Sequence, residues 1–282
     1  MKETKKNQNN NTHLYGYING VRVNETGSGK TAVNLDVCTL ETFKNDKGAF
    51  ENKRTYHDVV MFTENKEIIE KFIAIGEAVE KNRQMKDEKN FKPETHTISL
   101  DGVLLNKKDS RDLQVFCKED GFELDVKQAD KEIRNKTEFV GNIASVQMHE
   151  DKNFAVATVM NHFRPSEGEE RETALIVRIN GDRKFSKETY EALKKGEMGV
   201  GDFIRVGGQL HNNNFENEKG KFYGMALDLT SSELHHKKGE KKEEKAEVKK
   251  EPVKKAAAKK ETKKAEQPKK AVSRKKKGVT VG

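Results

Sequence analysis

The chain has 282 residues, of which 36% are charged and 33% hydrophobic, a balance that predicts that part of it never enters a folded core. The formal net charge is +8, yet segment 237–282 carries 18 Lys and one Arg against 7 Glu, which leaves residues 1–236 with about −4. No stretch approaches the ~20 apolar residues of a membrane-spanning helix, and the polar N-terminus has no hydrophobic signal-peptide region, which predicts a soluble cytoplasmic protein.

A weak internal repeat organises the part of the chain before the basic segment. Glycine-led strands are predicted at residues 16–21 and 141–146, where both segments read Gly-x-Ile-x-x-Val. Later strands at 98–106 and 204–212 match at five positions with a constant offset of 106 residues. Self-similarity of this kind indicates two copies of one domain.

Between these landmarks, hydrophobic periodicity predicts the same elements in the same order in both copies. The segments are strands at 32–39 and 56–62 and a helix at 67–73 in the first copy, and strands at 154–161 and 174–179 and a helix at 188–193 in the second. Ser186 is the predicted N-cap of the second helix. The first copy is longer by 19 residues, and a charged insertion at 77–95 accounts for much of the difference.

Each copy is expected to end in a hairpin. Asp120-Gly121 separates two apolar segments, which is a strong signal for a hairpin turn, and a second turn is expected at 218–220. Gly102 and Gly208 interrupt strands and are expected at bends of a small barrel. These elements predict a mainly β fold class, with two tandem five-stranded OB-fold barrels, each with a short helix, and a disordered basic C-terminal tail.

The domain boundaries follow from these patterns. We expect a disordered N-terminus at 1–12, a first barrel at 13–130, a linker at 131–137, a second barrel at 138–234 and a disordered lysine-rich tail at 235–282. The tail lacks aromatic residues and cannot bury enough apolar surface to offset its ordering entropy. It is expected to attach to phosphates without regard to sequence, the alternative being a solubilising tail or an expression relic.

Single-stranded nucleic acid is bound by cations that follow the phosphates and by exposed rings on which bases stack. The loop at 40–56 combines three aromatic residues with four cations, and Phe43 and Tyr56 flank it, although packing at the barrel mouth is the alternative for both. The predicted nucleic-acid contacts are Phe43, Tyr56, Phe62, Lys30, Lys44, Lys47, Lys53, Arg54, Lys107, Lys108, Phe163, Arg164, Arg178, Arg205, Phe215, Arg274, Lys275, Lys276 and Lys277. The second copy has no aromatic residue where Tyr56 stands, so it is expected to bind more weakly or to serve in assembly.

The segments 29–43 and 54–62 resemble the bacterial-type single-stranded-DNA-binding proteins. They are similar to that family's G-x-A-V-A-N stretch and its T-E-W-H-R-V-V stretch, with Phe43 and Tyr56 in place of tryptophans, and residues 201–210 resemble a later family stretch. The resemblance implies a non-enzymatic protein that coats single-stranded DNA in replication, recombination and repair, as a homodimer with four barrels. The chain departs from the family in having no tryptophan, in Asp58 where a cation is usual, and in lacking an acidic C-terminal tip, which makes tip-mediated recruitment of enzymes doubtful.

Other patterns favour no catalysis. The segment 26–31 resembles a nucleotide-binding P-loop but lacks its first glycine and is followed by a strand, so a hairpin turn is expected. The histidines and the two cysteines, Cys38 and Cys117, have no metal-ligand spacing, and we predict no metal, no cofactor and no enzyme activity. Two alternatives remain open: a preference for RNA, and an architectural protein whose tail dominates binding to duplex DNA or RNA.

Overall fold

The computed structural model describes residues 10–44, 47–107, 110, 112–126, 134–163, 171–217, 220–222 and 224–236. Residues 1–9 and the tail from position 237 lie outside the described residues, as do the predicted contacts Lys108, Arg164, Arg274, Lys275, Lys276 and Lys277. The side chains of Phe163 and Phe215 are likewise outside the description. Within the described ranges, no helix is long and apolar enough to cross a membrane.

Five strands close the first barrel (barrel 1). They are β1 (Asn10–Glu25), β2 (Thr31–Lys44), β3 (Phe50–Thr63), β4 (Thr97–Asn106) and β5 (Leu113–Leu124). Around the barrel the order is β1-β2-β3-β5-β4 and back to β1, with antiparallel neighbours except for the parallel pair β3–β5. Helix α1 (Lys66–Met85) lies between β3 and β4 and buries Phe72, Ile75 and Val79 in the core, the arrangement of an OB fold.

The second barrel (barrel 2) repeats this topology. Its elements are β6 (Asn135–His149), β7 (Phe154–Phe163), β8 (Arg171–Asn180), α2 (Lys187–Lys194), β9 (Phe203–Asn212), the short pair β10 (Phe215–Asn217) and β11 (Gly220–Phe222), and β12 (Met225–His236). Strands β8 and β12 form the parallel pair, as β3 and β5 do in barrel 1. The expected fold class of two five-stranded OB barrels is confirmed. Strands β10 and β11 pair antiparallel, and residues 218 and 219 of the turn expected at 218–220 lie outside the described residues.

The two barrels are joined by antiparallel pairing of β1 with β6. Thr12 lies opposite Thr137, and Leu14 lies opposite Asn135. The repeat aligns β1 with β6 at an offset of 125 residues, so Thr12 faces its own counterpart. The junction therefore has local two-fold symmetry within a single chain.

Close approach of strands requires glycine at equivalent positions of the two barrels. A Cβ on Gly16 would overlap the Cys38 carbonyl oxygen, and one on Gly141 would overlap that of Met160. Each glycine lets the backbone of the neighbouring strand approach inside the barrel. These contacts explain why the repeat begins with glycine in both copies.

The hairpin predicted at Asp120-Gly121 is wrong. Cys117 on one side of this dipeptide pairs with Gly102, and Phe122 on the other side pairs with Leu100, so both belong to β5 and face the same strand, β4. The intervening residues form a bulge in a continuous strand rather than a reversal of the chain.

Other boundaries also differ from those expected. Strand β1 begins at Asn10 and β6 at Asn135, inside the expected N-terminal and linker segments, because these residues pair across the junction. Helix α1 runs on to Met85 through half of the charged insertion. Ser186 precedes α2 as expected, but its hydroxyl donates to the Asn180 carbonyl at 2.6 Å rather than capping the helix.

Candidate nucleic-acid interface

Strands β2 and β3 form a long antiparallel arm that carries the leading candidate rings. The pairing runs without interruption from Thr31 with Thr63 to Lys44 with Phe50. Because side chains alternate across a strand, Phe43 and Tyr56 lie on opposite faces of this arm. Both rings are exposed, at 45% and 42%. The structure thus exposes both candidates without bringing them together on one surface.

One face of barrel 1 displays a cluster that we call the aromatic face: Tyr17, Tyr56, Phe62 and Phe116. Tyr17 and Tyr56 lie on either side of Cys38 in one row across β1, β2 and β3. The Phe62 and Phe116 ring centroids are 6.1 Å apart. Tyr17 and Phe62 are each 43% exposed, so flat ring surface is open to solvent along this face.

The tip of the arm adds a further ring with a cation. Phe50 is 72% exposed, and the Lys44 Nζ lies 5.1 Å from its ring centroid. This distance is within the range of a cation–π interaction. A base that stacks on Phe50 would therefore have an ammonium group beside it to meet the phosphate.

The predicted cations of barrel 1 have different surroundings. Lys107 Nζ binds Asp58 Oδ2 at 2.6 Å, so the aspartate where the family usually has a cation is already paired. Lys30 Nζ lies 4.0 Å from Glu64 Oε1, a weak surface pair. Arg54 is exposed and lies on the same side of the arm as Tyr56. Lys47 also makes an interaction within the protein.

The face of the arm opposite to the side chain of Tyr56 packs on barrel 2. Tyr56 N donates to Asn212 Oδ1 at 3.2 Å, and Thr55 Oγ1 lies 3.3 Å from His211 Nδ1. The same contact is repeated by the other barrel, where Ala174 N donates to Asn106 Oδ1 at 2.8 Å. The backbone at Tyr56 is thus held in place by a hydrogen bond to barrel 2.

Several titratable groups are buried or half-buried where the arm meets barrel 2. Burial lowers the pKa of His57 to about 3, and its Nε2 lies 2.9 Å from the Thr39 hydroxyl. Burial also lowers the pKa of His211 to about 4, with Lys53 as a further cause. Burial raises the pKa of Glu41 and lowers that of Lys53, its cross-strand neighbour. Lys53, one of the predicted contacts, is therefore part of the packing between the barrels.

Barrel 2 presents different chemistry at the positions equivalent to the aromatic face. Strand register aligns Tyr17, Tyr56, Phe62 and Phe116 with Asn142, Ala174, Asn180 and Asp228. Of the predicted contacts in this barrel, Arg178 binds Asp228 at 2.6 Å through Nε, and Arg205 lies 3.9 Å from Glu233. Barrel 2 therefore carries polar or small side chains at the four positions where barrel 1 carries rings, and Arg178 and Arg205 each lie beside a carboxylate.

Sequence reasoning missed four candidates that the structure places at the surface or on the aromatic face. Tyr17 and Phe116 belong to strands whose neighbours are not evident from sequence order. Arg183 and Phe185 lie in the exposed turn between β8 and α2, and Phe185 is 70% exposed. An aromatic residue directly preceded by two cations, Arg183 and Lys184, was a sequence signal that could have found this turn. Among the described residues, no group of His, Cys, Asp or Glu is arranged to hold a metal ion.

A scan against protein-family models finds no match, and neither does a search of curated proteins. Among solved structures, the wild-type single-stranded DNA binding protein from Thermus aquaticus is similar, with a TM-score of 0.50 and 15% identity over 84% of this chain and 97% of that chain. A deletion mutant of the same Thermus protein matches with the same TM-score and identity, over 84% of this chain and 99% of that chain. At this identity the similarity establishes the fold alone, and at that level it confirms the expected resemblance to bacterial-type single-stranded-DNA-binding proteins.

Proposed function

We propose that this protein binds single-stranded DNA without sequence preference, with barrel 1 as the principal platform. The observation that carries the proposal is the set of half-exposed rings, Tyr17, Tyr56 and Phe62, on one face of an OB barrel, with Phe43 on the other side of the arm. Each base that stacks on such a ring contributes about 1–3 kcal/mol, and the π-face of any base can do so.

The arrangement of the arm supports this function. A ring binds a base well when its backbone is held in place before the ligand arrives, since less ordering entropy is then lost on binding. Tyr56 N is fixed by Asn212, and Tyr56 pairs with Cys38 across the arm. The exposed Arg54, two residues before Tyr56, supplies a charge for the adjoining phosphate.

The cellular role follows from this binding. We propose that the protein is non-enzymatic and coats and protects single-stranded DNA during replication, recombination or repair in the cytoplasm. Two chains that associate would present four barrels to one strand. The OB fold supports binding, and free Cys38 and Cys117 fit a reducing compartment.

Fluorescence anisotropy with labelled oligonucleotides tests the proposal. We expect the chain to prefer a single strand over a duplex and over RNA, and expect Phe43→Ala combined with Tyr56→Ala to weaken binding by at least about tenfold. Ile73→Ala is the matched control, since Ile73 is an apolar residue of α1 whose exposure, 44%, is close to that of Phe43 and Tyr56. Equal affinity for single strand and duplex, together with full binding by the double variant, would refute the proposal.

The charge of the tail favours a second candidate, an architectural protein that coats duplex DNA or RNA. Residues 237–282 carry +12, whereas the remainder carries about −4. Deleting this segment separates the two functions. The architectural protein would lose nearly all affinity, whereas a single-strand binder that uses barrel 1 would lose little and show a shallower dependence on salt.

A further inference from the structure

The turn between β8 and α2 carries an exposed ring, and Arg183 and Ser186 of the same segment line a cleft on barrel 2. Phe185 is 70% exposed, and Arg183 and Lys184 directly precede it in sequence. The cleft has a volume of about 270 Å³ and is also lined by Phe154, Arg178 and Asp228. Single-stranded nucleic acid is bound by exposed rings combined with cationic side chains, and this turn supplies both within three residues.

The turn is held in a defined shape by Asn180. The Asn180 carbonyl oxygen accepts from Arg183 N at 3.3 Å and from Ser186 Oγ at 2.6 Å, and its Oδ1 accepts from Asp182 N at 2.8 Å. Gly181 N donates to the Asn153 carbonyl at 2.7 Å. These bonds fix the backbone of the turn, so Phe185 is presented to solvent from an ordered support.

The charges around the cleft leave capacity to bind an anion. Arg178 donates a hydrogen bond to Asp228 through Nε alone. The two Nη groups of Arg178 have no hydrogen-bond partner among the residues that the structure describes. The Arg183 guanidinium makes no ion pair within those same residues. Asp182, the carboxylate of the turn, accepts from Asn153 Nδ2 at 3.1 Å. A phosphodiester in the cleft would meet donors that the protein does not already use.

The position of the cleft connects it to the aromatic face. Asn180 and Asp228, which line the cleft, are the register equivalents of Phe62 and Phe116, so the cleft occupies in barrel 2 the place that part of the aromatic face occupies in barrel 1. His211 Nε2 lies 3.8 Å from Glu41 Oε2 of the arm and 3.4 Å from Asp228 Oδ2 of the cleft. One histidine side chain therefore separates the arm from the cleft.

We propose that Arg178, Arg183 and Phe185 form a second binding subsite for the same single strand, with phosphates in the cleft and a base on the Phe185 ring. The inference rests on the proposed function, because barrel 1 is the primary site. It assigns barrel 2 a direct role in binding through residues that have no counterpart among the rings of barrel 1.

Oligonucleotides of two lengths test the subsite. One of about 10 nucleotides fits the ~4–16 nucleotide site of a single OB fold, and one of about 32 nucleotides can reach both barrels. Arg183→Ala and Phe185→Ala are each expected to lower the affinity for the long oligonucleotide about tenfold. Neither should change the affinity for the short oligonucleotide when one equivalent is bound per chain. Phe185→Leu should match Phe185→Ala, since it keeps apolar bulk but removes the ring. Lys81→Ala, which removes an exposed cation of α1, should change neither.

Fluorescence gives a second measurement that does not depend on affinity. The chain has no tryptophan, so Phe185→Trp introduces a single indole at the subsite. We expect the long oligonucleotide to quench this fluorescence by stacking. An unquenched indole at saturation, wild-type affinity of the Arg183 and Phe185 variants for the long strand, or equal losses for both lengths would overturn the subsite. Failure of the wild-type protein to bind either length would refute the proposed function instead.

Discussion

The hydroxyl oxygens of Thr12 and Thr137 lie 3.0 Å apart at the centre of the strand pair that joins the two barrels. Each threonine is the repeat counterpart of the other, so this contact marks the local two-fold axis. Asn10 and Asn135 extend the symmetry, since each binds the backbone of one leucine with both side-chain amide atoms, Asn10 with Leu104 and Asn135 with Leu210.

Replacing Asn135 tests the contribution of this junction to stability. Its Nδ2 donates to Leu210 O at 2.6 Å and its Oδ1 accepts from Leu210 N at 3.1 Å, in a fully buried environment. Asn135→Ala leaves two buried backbone groups unsatisfied, so we expect the free energy of unfolding to fall by about 2–4 kcal/mol in urea titrations. Asn11→Ala, at an exposed position of β1, should change it by less than about 0.5 kcal/mol. Equal effects of the two variants would contradict this role.

Stability should depend on pH through the buried histidines. Burial lowers the folded-state pKa of His57 to about 3, whereas an unfolded histidine titrates near pH 6.5. Below pH ~6.5 the unfolded state therefore binds a proton that the folded state excludes, and stability decreases as the pH falls towards 3, by up to ~1.4 kcal/mol per pH unit for each such group.

Exchange of His57 isolates its share of this dependence. Leu175 occupies the register-equivalent position in barrel 2, so His57→Leu places a side chain that the fold already accepts there. Urea unfolding at pH 7, 5.5 and 4.5 should show a smaller loss of stability for the variant than for the wild type. Parallel pH profiles would show that His57 does not titrate as expected.

Tyr17 should contribute to binding through its ring. It lies in the same row as Tyr56, across Cys38, and is 43% exposed. We expect Tyr17→Ala to weaken single-strand binding about five- to tenfold, the lower part of the range for one stacked base, and Tyr17→Phe to retain binding. Comparable losses in both variants would assign the effect to the hydroxyl group and contradict stacking.

The carboxylate of Asp58 should weaken the binding of single-stranded DNA to barrel 1. Its carboxylate binds Lys107 at 2.6 Å beside the aromatic face. Asp58→Asn removes a negative charge and frees a cation, so we expect tighter binding and a steeper dependence of affinity on salt, by about one released counterion. Asp87→Asn, at an exposed position beyond the end of α1, is the control and should leave both quantities unchanged. An unaltered salt dependence in Asp58→Asn would exclude Lys107 from phosphate contact.

The repeat was predictable from sequence because its signals are local. The strands expected at 98–106 and 204–212 correspond closely to β4 and β9, since alternation of apolar residues reports which side chains face the core. The glycines at 16 and 141 were visible for the same reason, although the backbone contact that requires them was not.

The junction and the aromatic face were not predictable because they depend on which strands become neighbours. Tyr17 gains significance only when β1 lies beside β2 and Cys38 separates it from Tyr56. The Asp120-Gly121 prediction failed for a related reason, since β4 pairs with residues on both sides of the dipeptide and keeps the chain extended. Tertiary pairing overrode a strong local turn preference.

The symmetry of the junction has a consequence for how the two halves can change. In a dimer of identical subunits, every substitution is made twice, once on each side of the axis. Here one polypeptide supplies both sides from separate codons, so Tyr56 can face solvent on one half while Ala174 occupies the matching place on the other. The molecule keeps a two-fold symmetric framework, yet its two barrels have different surfaces. A nucleic-acid strand bound across both barrels would contact these surfaces in a fixed order.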